Sequence, residues 1–346
     1  MSAKIAFLPG DGVGPEVANA ARRVLTQVAK KHDLSIEFKE FVFGGAAIDA
    51  CGDPLPEETK AACLEADAIL LGAVGGPKWD MSEKRPEQGL LALRSALAVY
   101  ANLRPIQVAK GMEAHSPLKA EIAADVDMLI VRELTGGMYF GKRQEGKDKA
   151  TDECLYTRGE VERVARIAFD AARKRKGRVT SVDKANVLAT SRLWRNAVNE
   201  LHASEYSDVE LDHMLVDAMS MKLIQSPSAF DVVLTENLFG DILSDEASVL
   251  SGSIGLAPSA SLGDGTRGLY EPIHGSAPDI AGEDKANPVG TLASAAMMMR
   301  YSLGKGEIAD DIENAVAKAL AAGRGTADIG GKDSCTSFTD YICEIV

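Results

Sequence analysis

A chain of 346 residues has room for two domains and a sizeable core, and 46% hydrophobic with 26% charged residues is the make-up of an ordinary globular protein. Its net charge of −13 excludes non-specific attraction to nucleic acid, although a local cluster of arginines can still hold a small anion. The longest apolar stretch, around Ala293 to Met299, is far too short to span a bilayer, so no membrane segment is expected.

Strand-like runs alternate with helical patterns throughout, the signature of an α/β fold. Ile5–Leu8 reads as the first strand and Pro9–Gly14 as a glycine-rich turn. Pro15 then opens a helix with apolar positions at Val17, Ala21, Val24, Leu25 and Val28. Gly10-Asp-Gly-Val-Gly14 is not the Gly-x-Gly-x-x-Gly of a Rossmann turn. Its third glycine comes one residue early, and no acidic residue closes a second strand at the usual distance. Further strands are expected at Ile36–Phe38, Ala68–Leu71, Met128–Val131, Val179–Val182 and Val232–Leu234. A helix is expected over Gly89–Ala101, and Arg104, which precedes Pro105, is expected to be extended. Lys142–Asp152, charged and without apolar periodicity, reads as an exposed excursion. Thr157-Arg-Gly-Glu160 is a capping box, and Arg173-Lys-Arg-Lys176 with Gly177 ends the helix it starts. The first residues lack the basic and apolar regions of a secretory leader. Cys51, Cys63, Cys154, Cys335 and Cys343 form neither a Cys-x-x-Cys pair nor a zinc spacing, which suits reduced thiols in a cytosolic compartment.

Three constellations carry chemistry. Asp241 and Asp245, in Thr235-Glu-Asn-Leu-Phe-Gly-Asp-Ile-Leu-Ser-Asp-Glu-Ala-Ser248, stand four apart on a helical segment that follows the strand Val232–Leu234. Like charges at that spacing repel by a few tenths of a kcal/mol, a cost that a hard divalent cation relieves. The pair is otherwise a solvated acidic face. Arg94, Arg104 and Arg132 each sit where an element ends or a pocket could open. Converging, their forks would suit a substrate with two carboxylates; apart, they are surface arginines. Glu87, Leu90, Leu91 and Arg94 have offsets of three, four and seven and share one helical face. That face either belongs to the core or presents an apolar wall beside a carboxylate binder. Such a wall gains about 1.5–3 kcal/mol from an isopropyl-sized group and leaves an extra carboxylate unpaired.

Taken together, these segments closely resemble the β-hydroxyacid oxidative decarboxylases, the isocitrate and isopropylmalate dehydrogenases. The likeness runs nearly end to end. It is carried by Pro9-Gly-Asp-Gly-Val-Gly-Pro-Glu16, Ala73-Val-Gly-Gly-Pro-Lys-Trp79, Asn102-Leu-Arg-Pro105, Val131-Arg-Glu-Leu-Thr-Gly-Gly-Met-Tyr-Phe-Gly141, Asp183-Lys-Ala-Asn186, Val216-Asp-Ala-Met219, the Asp241–Asp245 segment and Glu271-Pro-Ile-His-Gly-Ser-Ala-Pro-Asp-Ile-Ala-Gly282. The resemblance implies an open two-domain α/β fold with a large mixed sheet, not a Rossmann fold. Residues 1–100 with 252–346 would form the cofactor-binding domain and residues 101–251 the substrate, metal and dimerisation domain, with catalysis in the cleft between them.

By the same resemblance, Arg94, Arg104 and Arg132 bind the malate carboxylates and hydroxyl. Asp241 and Asp245, with Asp217 of a partner subunit, hold Mg²⁺ or Mn²⁺ and help seat the substrate. Tyr139 and the partner's Lys184 form the acid–base pair. Glu87, Leu90, Leu91 and Val187 shape the isopropyl pocket. Gly76, Glu87, Glu271, His274, Gly275, Ser276, Ala277, Asp279, Ile280 and Asn287 line the NAD site. Asp279 matches the position that meets the adenosine ribose, where a carboxylate would repel a 2′-phosphate. One like-charge contact near a protein surface costs about 4 kcal/mol before screening, and a severalfold discount still leaves about tenfold preference for NAD⁺ over NADP⁺. The expected activity is the NAD-dependent oxidative decarboxylation of 3-isopropylmalate by a cytoplasmic homodimer of leucine biosynthesis, with no role for nucleic acid or membrane. Relatives acting on isocitrate, homoisocitrate or tartrate are the nearest alternatives, and a metal-dependent lyase or hydrolase without redox chemistry is the one from another class. Two departures stand out. The loop between Trp79 and Glu87 is short, and Arg324-Gly-Thr-Ala-Asp-Ile329 breaks the family's Arg-Thr pairing, so Arg324 carries no expected role.

Overall fold

The computed structural model describes residues 2–109 and 111–346. The chain divides into two units: Met1–Val99, Ala109–His115 and Ser251–Val346 form the first, and Tyr100–Val108 with Ser116–Leu250 the second. The first unit begins with β1 (Ala3–Gly10), α1 (Gly14–Lys31), β2 (Ile36–Glu40), α2 (Gly45–Cys51), α3 (Glu57–Glu65), β3 (Ala68–Ala73) and α4 (Pro86–Ala96). The second contains β4 (Ala101–Gln107), α5 (Ala120–Ala123), β5 (Asp127–Glu133), β6 (Arg143–Gln144), β7 (Thr151–Asp152), α6 (Arg158–Arg173), β8 (Arg178–Asp183), α7 (Ala189–Glu205), β9 (Glu210–Leu215), α8 (Val216–Gln225), β10 (Val232–Thr235) and α9 (Asn237–Ser248). The chain then returns to the first unit for β11 (Pro258–Leu262), β12 (Gly268–Pro272), α10 (Val289–Tyr301), α11 (Gly306–Ala321) and α12 (Cys335–Ile345).

In the first unit the strands run β2-β1-β3-β12-β11, parallel except for the antiparallel β11–β12 pair. β3 is buried along its whole length, as a strand covered on both faces must be. The apolar stretch near Ala293 lies in α10, which is buried on nearly every side and packs against β11, β12, α1 and α11. No helix among the described residues is long and apolar enough to cross a membrane. The Gly10–Gly14 turn is the tight strand-to-helix connection that its composition indicated. Gly10 and Gly12 have φ of 74° and 58°, and a Cβ on either would stand 1.9 Å from a carbonyl oxygen, of Ala73 and Ser276 respectively.

In the second unit the order is β4-β5-β10-β8-β9, with β4 antiparallel to β5 and the remaining pairs parallel. The two units thus each hold a mixed sheet of α/β type. The Thr157 box caps α6 as expected, with Thr157 Oγ1 accepting from Glu160 N, and Gly177 follows the helix at a φ of 77°. The excursion at 142–152 is a small exposed hairpin of β6 and β7. The helix carrying Arg94 differs from the expected Gly89–Ala101. It starts at Pro86, whose ring presets the first turn, and stops before Ala98, which sits at a φ of 53°. Residues from Ala101 onward then belong to β4.

Candidate active site

Register explains how the second unit brings its charged residues together. Thr235, the last residue of β10, lies beside Arg132 of β5, and Asn102 of β4 lies opposite Arg132 on the other side. Because α9 starts two residues after β10 ends, it lies beside the carboxyl ends of these parallel strands, where open α/β sheets place ligands. Gly240 makes this close approach possible. A Cβ there would fall 2.2 Å from Thr235 Oγ1 and 2.6 Å from Arg132 Cγ.

Asp241 and Asp245 therefore meet two almost fully buried arginines, Arg104 and Arg132. Arg132 Nη1 donates to Asp241 Oδ1, and Tyr139 Oη donates to Asp241 Oδ2 at 2.9 Å. Arg104 Nη1 reaches Asp245 Oδ1 at 3.0 Å and Ser244 Oγ at 2.6 Å, while its Nε donates to Asn102 Oδ1 at 2.7 Å. Burial lifts the Asp245 carboxyl above its ordinary range against the pull of Arg104, and the charge of Asp241 adds to the rise. Burial and the Asp241 carboxylate together push the Tyr139 phenol up to about 12, so it stays protonated and able to donate at neutral pH.

Two carboxylates one helical turn apart, one of them resisting ionisation beside the other, suit a hard dication. The oxygen-only donor set fits Mg²⁺ or Mn²⁺ rather than a thiolate-seeking metal. Asp217 is placed elsewhere. On the first turn of α8 its carboxylate lies 2.5 Å from Lys184 Nζ, a contact that holds its carboxyl below the usual range. Among the described residues, the one group of three donors with ligand atoms all within 4.8 Å is Glu16, Asp284 and Cys335 in the first unit. Within one chain, then, Asp217 does not join Asp241 and Asp245 as a third ligand. Val187 is exposed.

In the first unit α4 carries Glu87, Leu90, Leu91 and Arg94, with Arg94 buried and Glu87 at the surface. Arg94 Nη2 is bonded to Glu271 Oε1 at 2.8 Å, while its Nε is buried without a partner. Leu90 packs in part on the core formed by Leu8, Leu71 and Leu93, so it serves the fold as well as any ligand. The Glu87 carboxylate stands over Gly75, where a Cβ would come within 2.7 Å of Oε1; Gly76 follows at a φ of 150°. Next to these lies the 273–287 loop. Val13 N donates to Ser276 O at 2.8 Å, and Ala277 and Ile280 pack on Val13 and Val17 of the α1 side and on Ala286 of the loop itself. Ala277 takes a φ of 36°, a strained conformation for a residue with a Cβ. His274 Nδ1 lies 2.9 Å from Gly275 O, but its Nε2 is buried and unpartnered, and burial keeps the imidazole below its ordinary pKa. Gly275 has open space where a Cβ would be, and Asp279 is exposed. An orphaned ring nitrogen beside an open glycine suits a polar ligand such as a dinucleotide. Asn287 differs, since both ends of its amide are engaged: Nδ2 with Asp328 at 2.9 Å and Oδ1 with Val289 N at 3.0 Å.

Several supporting residues were invisible as such in the sequence. Asp11 is buried and accepts from Gly45 N, Ala46 N and Gly75 N at 2.8, 2.8 and 2.9 Å, tying the first turn to α2 and to the loop before Gly76. Burial raises its carboxyl all the same. Asn102 and Ser244 hold Arg104. Their signal was available: Asn102 is two residues before Arg104 on a strand, hence on the same face, and Ser244 adjoins Asp245. Arg324 also has a partner, clamping Asp333 through Nε and Nη2 and holding that carboxyl down at about 2.

Comparison with known proteins identifies the family. The family model described as isocitrate/isopropylmalate dehydrogenase matches residues 4–342. The 3-isopropylmalate dehydrogenase of Bacillus licheniformis is 56% identical over 97% of this chain and 93% of its own, and that of Bacillus subtilis is 54% identical over 100% and 96%. Among solved structures, isocitrate dehydrogenase from Methylococcus capsulatus superposes with a TM-score of 0.87 at 34% identity, covering 99% of this chain and 98% of that one. A β-decarboxylating dehydrogenase from Thermococcus kodakarensis does so with a TM-score of 0.81 at 38% identity, covering 99% and 95%. A match of that extent to the family model, with relatives this similar along the whole chain, makes the protein a member of the isocitrate/isopropylmalate dehydrogenase family.

Proposed function

We propose that the chain oxidatively decarboxylates (2R,3S)-3-isopropylmalate to 4-methyl-2-oxopentanoate and CO₂, with NAD⁺ as oxidant, in leucine biosynthesis. The observation that carries this reading is the seating of Asp241 and Asp245 on α9 against Arg104, Arg132 and Tyr139. Full-length identity to 3-isopropylmalate dehydrogenases supports the substrate choice.

Arg104 and Arg132 bind substrate carboxylate and hydroxyl oxygens, and Arg94 is a third carboxylate binder. Leu90 and Leu91 pack on the isopropyl group, with Val187 completing the pocket and Glu87 beside the nicotinamide. When bound, NAD⁺ supplies the hydride acceptor, and a dication on Asp241, Asp245 and the Asp217 of a second copy supplies an electron sink for the 2-oxo group. Lys184 of that second copy takes the hydroxyl proton, directly or through water. After CO₂ departs, Tyr139 returns a proton to C3, a role its protonated phenol suits. The 273–287 loop holds the adenosine half, Asp279 meeting the ribose and disfavouring a 2′-phosphate.

A composite site of this kind needs a homodimer. An apolar surface supports one: Met221 and Ile224 of α8, with Ile242 and Val249 of or just after the adjoining α9, are exposed in the single chain. The test is turnover by purified protein with Mg²⁺ and NAD⁺, followed at 340 nm. 3-Isopropylmalate should outpace isocitrate, homoisocitrate and tartrate, and NAD⁺ should outperform NADP⁺. Equal rates across the panel would refute the substrate assignment, and substrate loss without NADH would point to a lyase.

A further inference from the structure

Asn237 opens α9 and is 1% exposed, with its polar groups all bonded inside the second unit. Its Oδ1 accepts from both Nε and Nη2 of Arg132, at 3.1 and 2.8 Å. Its Nδ2 donates to Gly136 O at 3.0 Å, in the turn that leads to Tyr139, and its main-chain N donates to Tyr156 Oη at 3.0 Å. One side chain thus links the guanidinium, the turn bearing the phenol and the start of the helix bearing Asp241 and Asp245.

The chemical character of this link is specific. A guanidinium on a long, flexible stem acts as a bidentate binder only when its plane is fixed. A neutral amide oxygen fixes one edge of that plane through two hydrogen bonds without cancelling the charge. A carboxylate in the same place would hold the edge equally well but would compete with the substrate for the positive charge. It could not donate to Gly136 O. Serine or alanine would remove the two-point contact altogether.

We propose that Asn237 is a positioning residue for the reaction: a neutral two-point acceptor that sets the plane of Arg132 toward a substrate carboxylate and, through Gly136, anchors the turn carrying Tyr139. This rests on the reading of Arg132 as a carboxylate binder. Asn237 touches neither substrate nor cofactor; it acts through Arg132 and through the Gly136 turn.

The test is a double-mutant cycle with Asn237→Ala and Asn237→Asp, each in the parent chain and in Arg132→Lys, measured in the dimeric enzyme with Mg²⁺, NAD⁺ and 3-isopropylmalate. In the parent background, Asn237→Ala should lower kcat/KM for 3-isopropylmalate by about 30-fold, on the scale of losing hydrogen bonds to a charged group. Asn237→Asp, nearly isosteric and so able to fold where the alanine variant fails, should raise KM for 3-isopropylmalate about tenfold or more while KM for NAD⁺ stays within about twofold. In the Arg132→Lys background each substitution should cost at least about threefold less than in the parent, since the contact to the guanidinium is gone and only the anchoring of the Tyr139 turn through Gly136 remains to be lost. Equal losses in the two backgrounds would overturn the proposal, as would a parallel rise in both KM values. If Arg132→Lys alone left KM for 3-isopropylmalate unchanged, the reading of Arg132 would fall, and the positioning role with it.

Discussion

Arg94 and Glu271, 177 residues apart in sequence, form a buried ion pair with Nη2 2.8 Å from Oε1. The first was expected on the substrate and the second on the cofactor, so the two binding functions share one electrostatic contact within the first unit. Removing the acid leaves a buried guanidinium without its partner, a change that costs about 3–5 kcal/mol where burial is complete. Each side chain retains about a tenth of its exposure, so the lower end of that range applies. Glu271→Gln should therefore lower the unfolding free energy by about 3 kcal/mol, read from urea midpoints at constant m value. A loss under about 0.5 kcal/mol would mean that solvent already screens the pair.

Gly240 lets α9 lie on the stem of Arg132, and a methyl group there has no room. Gly240→Ala would gain helix propensity of about 1 kcal/mol at an open site. Here the added Cβ meets Thr235 Oγ1 and Arg132 Cγ, and overpacking of this kind costs about 1–3 kcal/mol. The expected outcome is a lower melting temperature together with a raised KM for 3-isopropylmalate, because Arg132 is what must move. A more stable variant with unchanged KM would show that the helix yields without disturbing the arginine.

Much of this was legible in the sequence, for physical reasons that can be named. Short apolar runs and the period-3.6 pattern exposed the buried strands and amphipathic helices, and the capping box at Thr157 placed the start of α6. The spacing of Asp241 and Asp245 put them on one helix face. Whether Arg104 and Arg132 converge on them depends on strand register, which a one-residue slip would undo and which local pattern does not encode. Asp11 and Asn237 were hidden for another reason. Each works by bonding groups distant in sequence, and nothing local distinguishes a polar residue that will be buried from one that will be solvated. The helix bounds around Arg94 were misjudged because Pro86 and the left-handed Ala98 outweighed the apolar periodicity.

Leu90 and Leu91 separate two effects that spacing alone merged. Leu90 rests partly on the core, whereas Leu91 has no such support there. Leu90→Ala should cost roughly 2 kcal/mol in stability in addition to any change in selectivity. Leu91→Ala should leave stability within about 0.5 kcal/mol but lower the ratio of kcat/KM for 3-isopropylmalate over malate by about tenfold. Unfolding curves and a two-substrate assay on both variants decide the matter. An unchanged ratio for Leu91→Ala would remove that residue from the isopropyl pocket.

Phenols make the chain sensitive to alkali. Tyr139 is held protonated up to about 12, and burial pushes Tyr156 and Tyr270 higher still. In the unfolded chain the same groups ionise near pH 10. Above that pH the unfolded state releases protons that the folded state keeps, so stability falls as pH rises from about 10 through 12. Tyr139→Phe should flatten this decline by about 1 kcal/mol after solvent screening, since its ring is partly accessible. Urea unfolding at pH 8, 10 and 11.5 tests it. At neutral pH the same variant should lose about 10²–10⁴-fold in kcat while KM for NAD⁺ holds.

The last prediction concerns assembly. Ile242 lies on α9 one residue after Asp241, on a surface that with Met221 and Ile224 of α8 leaves an apolar patch uncovered in the single chain. If a second copy covers it, Ile242→Glu sets like charges facing each other across a symmetric contact, since a twofold interface repeats every substitution. The variant should run as a monomer in sedimentation or light scattering at micromolar concentration. It should also lose nearly all turnover, because Lys184 and Asp217 would no longer reach the site of a neighbour. The replaced side chain is solvent-exposed, so the monomer should keep its far-UV spectrum. A folded, fully active monomer would show that each chain completes its own site, and the role assigned to the second copy's Lys184 would have to be withdrawn.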